Sequence, residues 1–352
     1  MVELVDVPVP EGPGAPGWDE FVAFTEIENA TQVAVYGTAD VAITAERWLP
    51  QFRDPEQEVL FIAARDGDEV VGRIAVTRTH EAPEAGFVEL QVRPGKQHRG
   101  VGTALADRLD GLAAELGLAK LITYVPSAPG PDAGRLVAPT GAGSVSRQDR
   151  GTRFLLARGW RLEQVERGSR LPLPADGDRL SALRADAERH AVGYRVLTWV
   201  GVTPAALRAA MAELNERMST DIPTAGLEEP PETWDAERVL EYETRQTAEH
   251  ALLVSAAEHI ATGRLAGVTR IWLPHGAGAG QQGTTVVRGE DRGHRLGLLL
   301  KVANLEALDE RFPGRPSVVT WNAEENHHML RVNEAIGFVP MGYDGAWRKD
   351  LP

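Results

Sequence analysis

The sequence predicts an α/β protein built as two copies of one unit. Short β-branched runs alternate with stretches of helical periodicity, a polar stretch interrupts them near the middle, and the same order of elements then restarts. The 352 residues suffice for two domains of ordinary size, each able to bury its own core. In the first series, residues 58–64 and 69–77 predict strands joined at Arg65-Asp66-Gly67-Asp68, a hairpin turn signal. Residues 86–92 predict a third strand with Phe87, Glu89 and Gln91 on one face and Val88, Leu90 and Val92 on the other. A glycine-containing loop then leads into a helix over 101–116, with Leu105, Leu109, Leu112 and Leu116 at helical spacing. Residues 120–125 predict a strand, and the Gly-, Pro-, Ser- and Ala-rich stretch around 125–151 a long loop. A short helix over 152–158 and two closing strands within 160–173 complete the series.

Residues 174–192 are polar, begin Pro174-Ala175-Asp176-Gly177 and carry no strand pattern, so they predict a linker with a short helix. The second series has a strand at 194–200, helices near 204–217 and 234–248, and a hairpin across 251–273 turning at Thr262-Gly263-Arg264. A strand at 284–288, a long helix over 293–310, a strand at 317–321, a helix at 326–335 and a terminal strand follow. The expected division is a first domain over 1–175, a linker over 176–192 and a second domain over 193–352.

Sliding the chain on itself supports the duplication. With Gly102 over Gly297, Val92-Arg93 falls on Val287-Arg288 and Leu105 on Leu300. Further on, Gly159-Trp160 and Gly337-Phe338 each follow a short helix.

Composition narrows the function classes. With no cysteine, disulfide frameworks, zinc–thiolate sites and cysteine nucleophiles are excluded. Thirty-seven Lys+Arg against 51 Asp+Glu give a net charge of −14, which argues against a nucleic-acid partner. No apolar run reaches the roughly 18–20 residues of a membrane span, and the first residues carry no secretory pattern. The default is a cytoplasmic protein with a small-molecule partner and no metal, its oligomeric state left open between monomer and oligomer.

The informative segment is a strand, then Gln97-x-x-Gly100-x-Gly102, then a helix. Such a turn presents several backbone N–H groups at the positive end of the helix dipole, which suits a phosphate or pyrophosphate. It is neither the Walker pattern nor the dinucleotide fingerprint. The segment Val92-Arg93-Pro94 through Gln97-His98-Arg99-Gly100-Val101-Gly102 resembles the acetyl-CoA signature of GNAT N-acetyltransferases, [Gln/Arg]-x-x-Gly-x-[Gly/Ala]. The likeness extends over both halves, so the chain resembles a tandem GNAT protein of the actinobacterial two-domain type. It implies two domains, each a twisted, mixed but mostly antiparallel sheet flanked by helices.

The resemblance implies that Gln97, His98, Arg99, Gly100, Val101, Gly102 and Thr103 wrap the pyrophosphate of acetyl-CoA. Leu90 and Val92 would pair with the pantetheine amides, and backbone N–H groups at a strand bulge near them would polarise the thioester carbonyl. In the second copy these roles fall on Val287 and on Arg292, Gly293, His294, Arg295, Leu296, Gly297 and Leu298, although Arg295 replaces the middle glycine. There its Cβ would crowd a phosphate, or its guanidinium would bind one. A later motif implies that Asn326 contacts CoA and that a tyrosine general acid stands where Asn333 is. The first half has Gln148 and Leu155 at these positions, so neither half keeps the tyrosine. Glu89 is implied as the base that deprotonates the ammonium; Thr284, its counterpart, cannot serve.

The expected reaction is transfer of an acetyl group from acetyl-CoA to the primary amine of a small molecule by direct attack on the thioester. The first half is expected to be catalytic, with the second half a further CoA site or a structural partner. A non-catalytic acyl-CoA sensor and a protein or peptide amine acceptor are the alternatives. Trp18, Tyr36 and Trp48 fall where the family shapes acceptor specificity, though aromatics there more often pack a core. His80 and Glu81 could line an acceptor pocket. Adjacent His327 and His328 face different directions on a helix and read as surface residues. Trp321 and Trp347 are expected in the second core.

Overall fold

The computed structural model describes residues 2–128, 134–221, 224–228 and 232–352. The first series comprises β1 (Glu3–Val7), α1 (Trp18–Tyr36), α2 (Ala45–Trp48), β2 (Gln57–Asp66), β3 (Glu69–Thr79), β4 (Ala85–Val92), α3 (Val101–Glu115) and β5 (Lys120–Ser127). It continues with a small hairpin of β6 (Arg135–Val137) and β7 (Ser144–Ser146), then α4 (Arg150–Ala157) and β8 (Arg161–Pro172). Helix α5 (Gly177–His190) joins it to β9 (Tyr194–Val200), α6 (Arg208–Asp221), α7 (Ala236–Thr247), β10 (His250–His259), β11 (Leu265–Pro274) and β12 (Gly280–Val287). Last come α8 (Leu296–Arg311), β13 (Ser317–Ala323), α9 (His327–Ile336) and β14 (Val339–Asp350).

Local chemistry explains the well-formed elements. Gly67 turns the β2–β3 hairpin at φ 63°, a conformation that glycine adopts without steric cost. Leu105, Leu109 and Leu112 are all buried on one face of α3. Asp149 caps α4 by accepting from the N–H groups of Gly151 and Thr152 at 3.0 and 3.3 Å.

Among the described residues, the long strands form one 12-stranded sheet in the order β1-β2-β3-β4-β5-β14-β8-β13-β12-β11-β10-β9. The two halves exchange their closing strands. β14, at the end of the chain, lies antiparallel between β5 and β8, while β8 pairs with β13 of the second half. Each half packs helices on both faces of its part of the sheet. Trp48, Phe52 and Phe61 join α1 residues in one aromatic core, and Leu105, Leu109 and Trp160 lie in the core opposite. In the second half α5 and α8 cover one face and α6 and α7 the other.

Four expectations change. Residues 160–173 form one 12-residue strand, because that strand pairs with two neighbours from the other half rather than folding back on itself. The long loop contains the β6–β7 hairpin; its residues 129–133 lie outside the described residues. Residues 176–192 are mostly α5, which buries Leu180 and Ala187 in the second core. Trp347 packs in the first core, carried there by the exchanged β14.

Candidate active site

In both halves two parallel strands separate after a short pairing, leaving a V-shaped gap. β4 and β5 pair from Ala85↔Lys120 to Phe87↔Ile122, and β12 and β13 only at Gly280↔Val318 and Gln281↔Val319. A glycine-containing loop at the end of β4 or β12 then starts α3 or α8. The loops correspond in detail. Gln97 Nε2 donates to Val92 O at 3.4 Å, and Arg292 Nε donates to Val287 O at 3.3 Å. The residue before each helix is left-handed, Gly100 at φ 81° and Arg295 at φ 54°. Arg295 therefore bears a Cβ where the backbone favours glycine, a cost of roughly 1–2 kcal/mol. Its guanidinium pairs with Asp186 of α5.

The gaps differ in what fills them. In the first half a Cβ on Gly102 would meet the Phe154 ring of α4 at 3.7 Å and Val92 Cγ2 at 3.6 Å. Arg158 ties α4 to α3 through Asp107 at 2.6 Å and Thr103 O at 3.4 Å, and Arg150 reaches Gln97 at 3.0 Å. Phenyl ring and arginines together close the seam between α3 and α4. In the second half a Cβ on Gly297 would meet nothing within 4 Å. The positions matching Phe154, Arg158 and Arg150 are Val332, Ile336 and His328. A cleft of about 900 Å³ opens there, lined by Thr285 to Val287, by Asp291 to Leu298 apart from His294, and by Glu325 to Val332 apart from Leu330, with Ala335. Asn326 lies in this cleft and caps α9, its Oδ1 accepting from Met329 N at 3.2 Å.

The strands flanking the gaps differ as well. β4 pairs with β3 in unbroken register from Gly72↔Val92 to Thr77↔Phe87, so no bulge is found near Leu90 to Val92. The bulge lies in the second half. Thr269 faces Thr285 but Ile271 faces Gln282, leaving Gly283 and Thr284 together opposite Arg270. Gln282 fills the defect, its amide donating to Arg270 O at 2.7 Å and to Thr269 Oγ1 at 3.0 Å.

Glu89 sits in a charged cluster. Arg73, 1% exposed, lies 2.8 Å from Glu89 Oε2 and 2.6 Å from Glu28 Oε2, and stacks 4.7 Å from the Trp48 ring centre. Burial pushes the Glu89 carboxyl above its ordinary range; Glu28 adds to this and Arg73 opposes it. At the seam between the halves, Tyr36 donates to Asp344 and accepts from Trp321 Nε1 at 3.3 Å. Burial lifts Asp344 to about 6, with Glu28 adding to the rise against the hydrogen bonds of Tyr36 and Trp321. Asn333 is 2% exposed and donates to Asn322 at 2.7 Å, while Leu155 is a core residue. His327 and His328 are exposed residues on the rim of the large cleft. Among the described residues no cluster of metal-ligating groups occurs, and no helix is long and apolar enough to cross a membrane. On the opposite face of the sheet, Glu81 and residues 54–56 of the first half meet Trp234, Tyr242 and Arg245 of the second around a cleft of about 360 Å³.

Residues 21–133 match the acetyltransferase (GNAT) family, a segment that includes β4, the glycine loop and α3. A solved tandem GNAT protein from the clavulanic acid biosynthesis pathway covers the whole chain. Its TM-score is 0.71 and its identity 25%, over 100% of this chain and 99% of that one. The first half of this chain thus matches the GNAT acetyltransferase family, and the whole chain has the fold of a tandem GNAT protein. A GCN5-related N-acetyltransferase from Sphaerobacter thermophilus shares the fold, at 19% identity and TM-score 0.63 over 99% of this chain and 95% of its own. No curated protein matches the sequence.

The sequence placed both glycine loops between a strand and a helix, and Glu89 on β4, where the structure has them. It missed the seal over the first loop, the β12 bulge and the Tyr36–Asp344–Trp321 cluster. Phe154 at the position of Val332 was a visible signal for the seal, since the repeat alignment sets a large ring against a smaller side chain.

Proposed function

We propose that the chain is an acetyl-CoA-dependent N-acetyltransferase that holds its cofactor in the second-half cleft and acetylates the primary amine of a small molecule. The observation that carries this reading is the contrast at the two helix starts: open space at Gly297, a phenyl ring over Gly102. The donor set fits the cofactor. The N–H groups opening α8 would face the pyrophosphate, with Arg292, Arg295 and Arg331 on the cleft walls to balance the phosphate charge. Bound there, acetyl-CoA supplies the acetyl group already activated as a thioester.

The chain's residues do the rest by positioning. The Gly283–Thr284 bulge frees backbone from the ladder beside the gap, where an N–H can face the carbonyl. Asn333 cannot act as an acid, but thiols titrate near about 8.5, so a thiolate leaves without a strong proton donor. The cleft of about 360 Å³ on the opposite face is of small-molecule size, and its carboxylates Glu56, Glu237 and Glu241 suit an ammonium group.

Calorimetric titration with acetyl-CoA tests the assignment. Gly297→Trp is expected to abolish binding, and Gly102→Trp to retain it. The opposite pattern would move the cofactor to the first half, and no binding by the wild type would remove the cofactor reading altogether.

A further inference from the structure

Acidic side chains outnumber basic ones in this chain, so a group of arginines and histidines without any paired carboxylate calls for an explanation. One such group lies where α2 of the first half faces the start of β10 and the end of β11, away from both glycine loops. Three of its members converge on Pro274. His250 is its cross-strand partner, His275 follows it in the chain, and Arg315 Nη1 donates to its carbonyl at 3.0 Å and to that of Gly278 at 3.3 Å. Arg47 of α2 is the fourth. Its Nε is shielded from solvent with no hydrogen-bond partner, and the side chain forms no ion pair among the described residues.

Among the described residues, none of the four is paired with a carboxylate. Among the described residues, the ring nitrogens of His250 and His275 hydrogen-bond to the backbone carbonyls of Gln246 and Thr247, at 3.3 and 3.4 Å, and His250 meets Trp272 edge-on. Asp54, a carboxylate of the segment that follows α2, is taken by Arg245 at 2.7 Å. Glu46 and Glu249, chain neighbours of Arg47 and His250, make no ion pair with any of the four. The group repels itself: the charge of Arg315 adds to burial in lowering Arg47, and Arg47 and His275 add to burial in lowering His250. A half-buried guanidinium with an unmet donor costs free energy unless a ligand completes it, and its planar fork matches an oxyanion.

We propose that Arg47, Arg315, His250 and His275 form an oxyanion site between the two halves, built for a phosphate group. The phosphate would accept from Arg47 and from the free donors of Arg315, with the imidazoles closing the site. The inference does not depend on where acetyl-CoA binds.

Titration with inorganic phosphate against chloride at equal ionic strength tests it, followed by thermal unfolding and by the NMR titration of His250. Phosphate is expected to raise the wild-type Tm and move the His250 titration upward. Arg47→Met should weaken phosphate binding at least tenfold while leaving acetyl-CoA binding unchanged. Glycerol 3-phosphate is titrated in parallel, and tighter binding than inorganic phosphate would assign the site to the phosphate arm of a larger ligand. Equal phosphate affinity in wild type and Arg47→Met would overturn the proposal. Should that variant not fold, an unmoved His250 titration in the wild type would overturn it equally.

Discussion

Lys301 gives the sharpest quantitative test. It lies in the middle of α8, is 1% exposed and makes no hydrogen bond or ion pair with a described residue; its ammonium nitrogen sits 5.8 Å from the centre of the Phe338 ring. The corresponding residue of the first half is Ala106, so nothing in the repeated unit requires a charge there. Burial lowers the amine from 10.5 to about 7. At about 1.36 kcal/mol for each unit, the penalty reaches about 5 kcal/mol below pH 7, where the native state must bury the charged amine. The sign follows from proton counting. Between pH 7 and 10.5 the unfolded chain holds a proton that the native state has released, so stability rises with pH across that window. The penalty is complete below pH 7 and gone above 10.5. Lys301→Met keeps most of the volume and removes the charge, so its gain over wild type should be several kcal/mol at pH 7 and fall to about 1 kcal/mol by pH 10. Urea unfolding of both proteins at pH 7, 8.5 and 10 measures this difference directly. A gain of equal size at all three values would refute the reasoning, because packing alone does not depend on pH.

The remaining predictions concern the candidate sites. Asp344, lifted to about 6, is charged at a cost above that pH and at none below its ordinary value. Asp344→Asn should therefore stabilise the protein above pH 6, by at most about 3 kcal/mol, and not below pH 4, as read by urea unfolding at both values. Phe154→Ala should open the first-half seam and raise the calorimetric stoichiometry of acetyl-CoA from one to two; a stoichiometry still at one would mean that the ring does not control access. Arg73→Met strands the carboxylates of Glu28 and Glu89, and should cost roughly 3–5 kcal/mol near pH 7 in the same unfolding assay, less as those carboxyls are protonated in acid.

Much of the architecture was legible because it is written locally. The Gly67 turn, the leucine stripe of α3 and the strand–glycine–helix pattern each lie within about 20 residues and have one good physical solution. The sides of β4 were legible for the same reason: Glu89 reaches Arg73 under α1, while Leu90 and Val92 pack in the core with α3. What was not legible depends on distant choices. β8 and β14 are both 12 residues long with similar alternation, so the sequence pattern accepts either order of pairing. The β12 bulge arises because Gln282 can satisfy Arg270 O, a contact that no periodicity announces. The seal over Gly102 needs Phe154 and Arg158, some 50 residues away along the chain, to land on α3.

The crossed closing strands bear on how such a chain is made and how it changes over time. During synthesis β5 leaves the ribosome more than 200 residues before its neighbour β14, so the first half waits with an open sheet edge until translation is nearly complete. A gene shortened to either half would encode a strand meant for its partner and lack the one it needs. A half that loses its chemistry therefore cannot be discarded, and is free instead to take on binding work for the half that keeps it.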